Sequence, residues 1–434
     1  MKSIDRIPTG KIERASKLVQ TGVKLGGNYL KHYGEKLINP ELDRSKLDEA
    51  NAAEIYNTLK SLKGSALKMA QMLSMEKNVL PQAYVDKFAL SQFSVPPLSP
   101  PLVTKTFRQY FGQSPLELFD HFDAASIAAA SIGQVHKAHK DGRELAVKIQ
   151  YPGVAESISS DLAIVKPIAL KMFDLQAADV EHYFQEVKSK LLEETDYTLE
   201  LRQGTELAAA CGHLPGMRFP NYYPQWSSSK ILTMDWMHGQ HLSEFVASDA
   251  SAAARQAIGQ RLWDFYMFQV NQLQRFHADP HPGNFLISPA QELIAIDFGC
   301  IKALPADFHQ PYFELIDSDK IRDAQQLQDR LEALAMFKPE DTPAERDYIT
   351  GIFQEMLLLI TRPFGVEHFD FADAGFFEAI ATLGEKYSRD PVLRKLSRGR
   401  GSQHFLYVNR TFFGLYQLLH DLQAEVITRR YWPA

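Results

Sequence analysis

Two short signatures lie within a turn, a strand and a turn of each other between His277 and Gly299, and together they restrict what this chain can fold into. The first is His277-Ala278-Asp279-Pro280-His281-Pro282-Gly283-Asn284, which keeps the Asp-to-Asn spacing of the H-R-D-x-x-x-x-N loop. The second is Ile296-Asp297-Phe298-Gly299, whose Asp-Phe-Gly triplet holds magnesium on nucleotide phosphates in phosphoryl-transfer sites. Pro280, Pro282 and Gly283 predict a rigid turn that sets a base, Asp279, and a metal ligand, Asn284, toward one cavity. Asp297 is expected at the end of a strand over 292–296, where it closes the metal site. Asp-Phe-Gly alone is common and marks only a turn after a buried strand. The two signatures in this order are far rarer.

Length and composition narrow the class further. A chain of 434 residues can hold two or three domains and a large core. Its net charge of −6 argues against a nucleic-acid binder driven by a basic field, so no nucleic-acid partner is expected. Cys211 and Cys300 lack metal spacing and read as reduced thiols of a cytoplasmic protein. The start, Met1-Lys2-Ser3-Ile4-Asp5, has no apolar signal region, and no apolar run is long enough to span a bilayer.

Along the chain, Ile12, Ala15, Val19, Gly22, Leu25 and Tyr29 predict an amphipathic helix over about 11–33, edged by Lys11, Arg14, Lys17, Lys24 and Lys31. It suits peripheral contact with an anionic membrane, or, more plainly, packing on its own protein with a solvated lysine face. A second helix is expected from near Leu47 into Met75, with Lys68 and Gln71 on one side. The proline-rich stretch over 94–101 reads as a stiff extended connector and a domain boundary, followed by a short helix over 102–111.

After Ala124 a strand pattern runs to Asp141-Gly142, a strong hairpin signal, and then into a second strand with Lys148 inside its apolar run. This order parallels the nucleotide-covering loop and V-A-I-K strand of kinases, whose lysine meets phosphates and a helix glutamate. A lysine there needs an anionic partner unless it snorkels from an edge strand. Ala128, Ala129, Ala130 and Ser131 stand where a kinase has G-x-G-x-x-G, which predicts a stiffer loop and altered nucleotide handling. One helical segment is expected over about 180–202, with Glu193, Glu194, Asp196 and Glu200 in mid-helix, one of them serving Lys148. A strand over 231–237 ends where a bilobal kinase has its hinge, so the Met237 backbone is placed to read adenine. There is no A-P-E after Asp-Phe-Gly, Ala278 replaces the loop arginine, and His281 stands where a lysine is common. These departures argue against phosphorylation-controlled protein kinase activity. The basic run from Arg394 to Arg400 reads as a solvated loop.

From about Leu59 to its C-terminal helices the chain resembles the UbiB/AarF/ADCK atypical kinase-like family. The blocks that carry the resemblance are Lys68-Met69-Ala70-Gln71, the alanine loop from Ala128 to His136, Glu194 to Glu200, and the loop with its Asp-Phe-Gly. The resemblance implies an α+β, bilobal protein-kinase-like fold: an N-terminal helical extension over 1–95, a small β-containing N-lobe over 102–236, and a helical C-lobe over 237–434. It implies that Lys68 and Gln71 belong to a K-x-G-Q signature on an extension covering the nucleotide site, with Ala70 here in place of Gly. Glu194 and Asp196 become the E-x-D pair facing that extension, and Glu200 the helix partner of Lys148; the residues alone leave Glu194 open for that role.

The activity implied is Mg²⁺-dependent ATP binding with ATPase or small-molecule kinase chemistry, ATP/ADP as ligands, and a lipid or isoprenoid acceptor linked to quinone biosynthesis. Lys148 orients phosphates, Asn284 and Asp297 ligate the metal, and Asp279 directs the attacking hydroxyl or water. Two alternatives remain. A phosphotransferase of the aminoglycoside or choline kinase type shares H-x-D-x-x-x-x-N and I-D-F but not the Lys68 block or alanine loop. A nucleotide-binding pseudokinase scaffold conflicts with the filled catalytic positions.

Overall fold

The computed structural model describes residues 45–62, 97–129, 132–172, 177–388, 390–396, 400–402 and 404–428, with isolated positions between 16 and 35. Lys68, Ala70 and Gln71 of the expected second helix, and Ala130 and Ser131 of the alanine loop, lie outside the described residues. The chain divides into two compact units. One comprises residues up to Arg202 with Asn221–Trp236, and the other Gln203–Pro220 with Met237–Ala434.

The first unit is built on a five-stranded sheet of β1 (His121–Phe122), β2 (Ala128–Ala129), β3 (Gly133–Lys140), β4 (Arg143–Gln150) and β6 (Ile231–Asp235), ordered β1-β3-β4-β6 with β2 also on β3. Asp141 and Gly142 both take positive φ (53° and 74°), the geometry of a two-residue hairpin turn whose twist matches its strands. β4 is flanked on both edges, by β3 and β6, so its residues from Leu145 to Gln150 are all buried. Phe107, Phe119, Phe122, Val147, Ile149, Tyr197 and Trp226 form the core against it.

Two local expectations change here. The connector does not stay extended through Pro101, because Pro100 and Pro101 open the helix Pro100–Phe111. In a first turn their missing N–H groups cost nothing. The single helix expected over 180–202 is two, Ala177–Glu194 and Tyr197–Cys211. Asp196 makes the break by capping the second: its Oδ1 accepts the N–H groups of Thr198 (3.0 Å) and Leu199 (3.3 Å). The described positions between 16 and 35 are helical, and their polar side chains meet the protein's own helix Ser45–Leu62. Lys24 pairs with Glu54 at 2.8 Å and Asn28 donates to Asn51 at 3.0 Å.

The second unit carries a four-stranded sheet ordered β5 (Met217–Arg218), β10 (Leu293–Ala295), β9 (Phe285–Ile287) and β7 (Gln240–His241). Two-stranded ribbons pair β8 (Arg275–His277) with β11 (Ile301–Ala303) and β12 (His368–Asp370) with β13 (Glu425–Ile427). Helices Ala252–Phe268, Pro343–Ile360 and His404–Asp421 are the longest of this unit among the described residues. The basic run is not a solvated loop throughout. Pro391–Leu396 is helical, and the Arg400 guanidinium forms a buried two-pronged pair with Asp341, their side chains 6% and 3% exposed. Cys211 and Cys300 are buried and are not joined in a disulfide. Among the described residues no helix is long and apolar enough to cross a membrane.

Candidate functional site

In the first unit the central strand delivers one cation. Lys148 sits opposite Val135 on β3 and Leu232 on β6, and its amine donates to both Glu200 oxygens, at 2.9 and 3.1 Å. The two side chains are only 10% and 3% exposed. Glu200 stands in the first turn of Tyr197–Cys211, where a helix N-terminus favours a carboxylate. Glu194 ends the preceding helix, half-buried, on the other side of the Asp196 cap. Of the two carboxylates left open for Lys148, Glu200 is held at hydrogen-bond distance. The Tyr197 ring also lies 5.3 Å from the amine.

The alanine positions are held from beneath. Ala128 pairs with Val135 and Ala129 with Gln134, so both lie on the short β2 and not in an open loop. Gly133 has no room for a side chain: a Cβ there lies 2.4 Å from the Ile149 carbonyl oxygen and 2.8 Å from the Tyr197 hydroxyl. Gln134 accepts the Leu98 N–H at 2.6 Å and touches His136 Nε2 at 2.7 Å, while His136 Nδ1 donates to the Asp123 carbonyl at 2.8 Å. Burial pushes the His136 imidazole below its ordinary pKa. Met237 lies two residues beyond β6 and is half-buried.

In the second unit the loop Asp279 to Asn284 is fixed at every step. His277 leaves β8 with its N–H on the side-chain oxygen of Gln269 (2.9 Å), which projects from a π-turn, Gln269–Leu273, after Ala252–Phe268. Its ring, 1% exposed, packs edge-on against Phe285 and the Asp-Phe-Gly residue Phe298. Burial pushes the His277 pKa down, against the upward pull of Asp279 and Asp297. Ala278 donates to the Cys300 carbonyl at 2.8 Å. Pro282, Gly283 and Asn284 form a 3-10 turn capped by His281, whose Nδ1 accepts the Gly283 N–H at 3.1 Å.

That turn and the β9–β10 pairing bring the candidate metal ligands together. Phe285 faces Ala295 in the ladder, and the next pair outward is sealed by Ile296 N–H on the Asn284 carbonyl at 3.0 Å, one residue before Asp297. Asn284 commits its amide nitrogen to the Asp279 carbonyl (2.9 Å) and carboxylate (3.2 Å), which leaves the carboxamide oxygen as its donor atom for a cation. Asp297 Oδ1 accepts the Gly299 N–H at 3.0 Å. Among the described residues there is no cluster of three His, Cys, Asp or Glu side chains fit for a metal. A hard oxygen set of one carboxylate and one carboxamide is nevertheless what Mg²⁺ uses when phosphates and water complete its shell. The donors fit that ion and do not form an all-protein cage.

One residue at this loop comes from far along the chain. Arg410, on helix His404–Asp421, places Nη2 2.5 Å from Asp279 Oδ1.

Comparison with known proteins agrees with this geometry. Residues 91–331 match the model of the ABC1 atypical kinase-like domain. The chain belongs to that family. It is 29% identical over 371 residues, 82% of its length, to an uncharacterized aarF domain-containing chloroplastic protein kinase of Arabidopsis thaliana, covering 50% of that protein. The atypical kinase coq-8, mitochondrial, of Caenorhabditis elegans is 30% identical over 63% of this chain and 37% of its own. Thus the chain spans about half the length or less of these curated relatives. The solved structure of Rv3197 with erythromycin, from Mycobacterium tuberculosis, superposes with a TM-score of 0.62 at 27% identity, covering 89% of this chain and 96% of that one. The fold is therefore kinase-like, and the family is the one the four sequence blocks resemble.

Proposed function

We propose that this atypical kinase is an Mg²⁺-dependent ATP-binding enzyme that hydrolyses ATP or transfers its γ-phosphoryl group, in a role linked to isoprenoid quinone or membrane lipid metabolism. The Lys148–Glu200 pair carries the reading. Burying such a pair costs desolvation that its attraction does not reliably repay, so it is poor material for stability. An amine held by a carboxylate on a central strand is suited to orienting phosphates. Asp279, fixed by its neighbours, directs the attacking hydroxyl or water. Asn284 and Asp297 hold Mg²⁺, which supplies charge neutralisation on the phosphates when bound. Lys68, Gln71 and Glu194 are assigned to the covering extension, and Ala128 to Ser131 and Met237 to the nucleotide, on family resemblance. The lipid link is supported by that resemblance and by the likeness to coq-8.

The test is ATP turnover by the purified chain, with and without Mg²⁺ and vesicles of anionic lipid. Turnover should require Mg²⁺, rise with the vesicles, and drop at least about 100-fold in Asp279→Asn and Asp297→Asn. Unchanged rates in both variants refute the catalytic assignment.

A further inference from the structure

The loop departs from its motif in a way that leaves a charge missing. Ala278 and His281 occupy the two positions where such loops carry a cation. Ala278 is fully buried, and the His281 ring is spent on the Gly283 N–H. Yet the Asp279 carboxylate is held from two sides, by the Asn284 carboxamide at 3.2 Å and by Arg410 at 2.5 Å. Arg410 is 18% exposed and Asp279 24%, so the contact is largely shielded from solvent.

The helix that brings Arg410 is built to sit at this loop. Gly414, one turn on and hence on the same face, lies against Pro280: a Cβ at Gly414 comes 2.3 Å from Pro280 Cγ. Successive loop residues, 279 and 280, thus meet successive turns of the helix, one through a charge and one through a missing side chain. The rest of the helix is anchored. Asn409 accepts the Tyr312 hydroxyl at 2.7 Å, the Tyr416 hydroxyl donates to the Ile360 carbonyl at 2.9 Å, and Val408, Leu415 and Leu419 are fully buried. These contacts fix the backbone from which Arg410 reaches the loop.

We propose that Arg410 is a positioning residue for phosphoryl transfer, supplying across the fold the cation that the loop lacks at positions 278 and 281 and aiming the Asp279 carboxylate at the attacking group. This rests on the ATP-turnover reading above. Arg410 acts through Asp279, so its removal lowers kcat and spares ATP binding. A misplacement of about 1 Å in a catalytic group costs on the order of 100-fold.

The experiment measures kcat and KM for ATP in Arg410→Met, Arg410→Lys and Gly414→Ala, and in Arg410→Met combined with Asp279→Asn. Hydrogen exchange of the loop amides over 278–286 is followed in parallel. Arg410→Met should lose about 10- to 100-fold in kcat with KM for ATP within about twofold, and Arg410→Lys should recover most of the loss. Gly414→Ala, which keeps the charge but pushes the helix off Pro280, should lose kcat in the same sense. In the Asp279→Asn background Arg410→Met should add nothing, and loop amides should exchange faster in Arg410→Met. Wild-type kcat in Arg410→Met, or an equal further loss in the Asp279→Asn background, overturns the proposal. Should the wild type show no turnover above Asp279→Asn, the ATPase reading falls. Loop exchange then decides the positioning role, and exchange unchanged by Arg410→Met overturns it.

Discussion

Removing Glu200 alone should unsettle the first unit far more than removing Glu200 and Lys148 together. With Glu200 3% exposed and Lys148 10%, little water reaches either charge, and each is a direct partner of the other. Breaking a buried pair from one side costs about 3–5 kcal/mol, whereas replacing both partners by apolar groups is often neutral or stabilising by about 1–4 kcal/mol. In Glu200→Gln the amine keeps the Tyr197 ring at 5.3 Å and some solvent, which places the loss near 3 kcal/mol, the lower end of that range. For a unit of this size that corresponds to roughly 6–12 °C in melting temperature. The double variant Lys148→Met/Glu200→Leu should melt close to the wild type. A chain of two units need not unfold in one step, so the assay is differential scanning calorimetry with the units' transitions resolved. ATP turnover should vanish in both variants, which separates the stability of the pair from its function. A double variant melting as low as Glu200→Gln refutes the argument, because the pair is then a net stabiliser and its burial needs no functional explanation.

The relay from Leu98 through Gln134 to His136 requires a neutral imidazole, and burial holds its pKa below the ordinary value. The unfolded chain therefore takes up this proton first, so the relay's contribution is complete above about pH 6.5 and is lost as pH falls below it. Urea midpoints of the wild type should drop between pH 7.5 and 5.5 more than those of His136→Gln; parallel drops refute the assignment. Gly133→Ala puts a methyl 2.4 Å from a backbone carbonyl oxygen inside the sheet and should cost about 2 kcal/mol or more, read as a lowered melting temperature, with wild-type melting as the contrary result. Asp341, paired with Arg400, has its pKa lowered to about 2. Its depressed value adds about 2–3 kcal/mol above about pH 4, lost as pH falls toward 2, so Arg400→Met should abolish that part of the acid transition. Coincident acid-unfolding curves for the two proteins exclude it.

What could be read in the sequence was local or set by strand register. Asp141-Gly142 announced its turn because a two-residue hairpin needs positive φ at both places. The strand around Lys148 announced a need for an anion because six consecutive buried positions cannot hold a lone ammonium. Its partner stayed open for a specific reason: Glu194 and Glu200 lie six residues apart, and a continuous helix offers no basis for choosing. The Asp196 cap, which ends that ambiguity, was itself visible as an aspartate followed two residues on by Thr198, but the surrounding acidic periodicity read through it. Arg400 looked solvated because its partner is 59 residues away, and composition cannot see a buried carboxylate at that range. Arg410 is the extreme case, 131 residues from Asp279. The hint lay at the loop itself: two departures from the motif, at 278 and 281, removed cations without removing the carboxylate they serve. An arginine four residues before a glycine, in a helix whose inner face is apolar, is the pattern that answers it. In a motif that drops its charged positions and keeps its reactive group, the place to search for a replacement charge is among arginines far along the chain, as the Arg410–Asp279 contact illustrates.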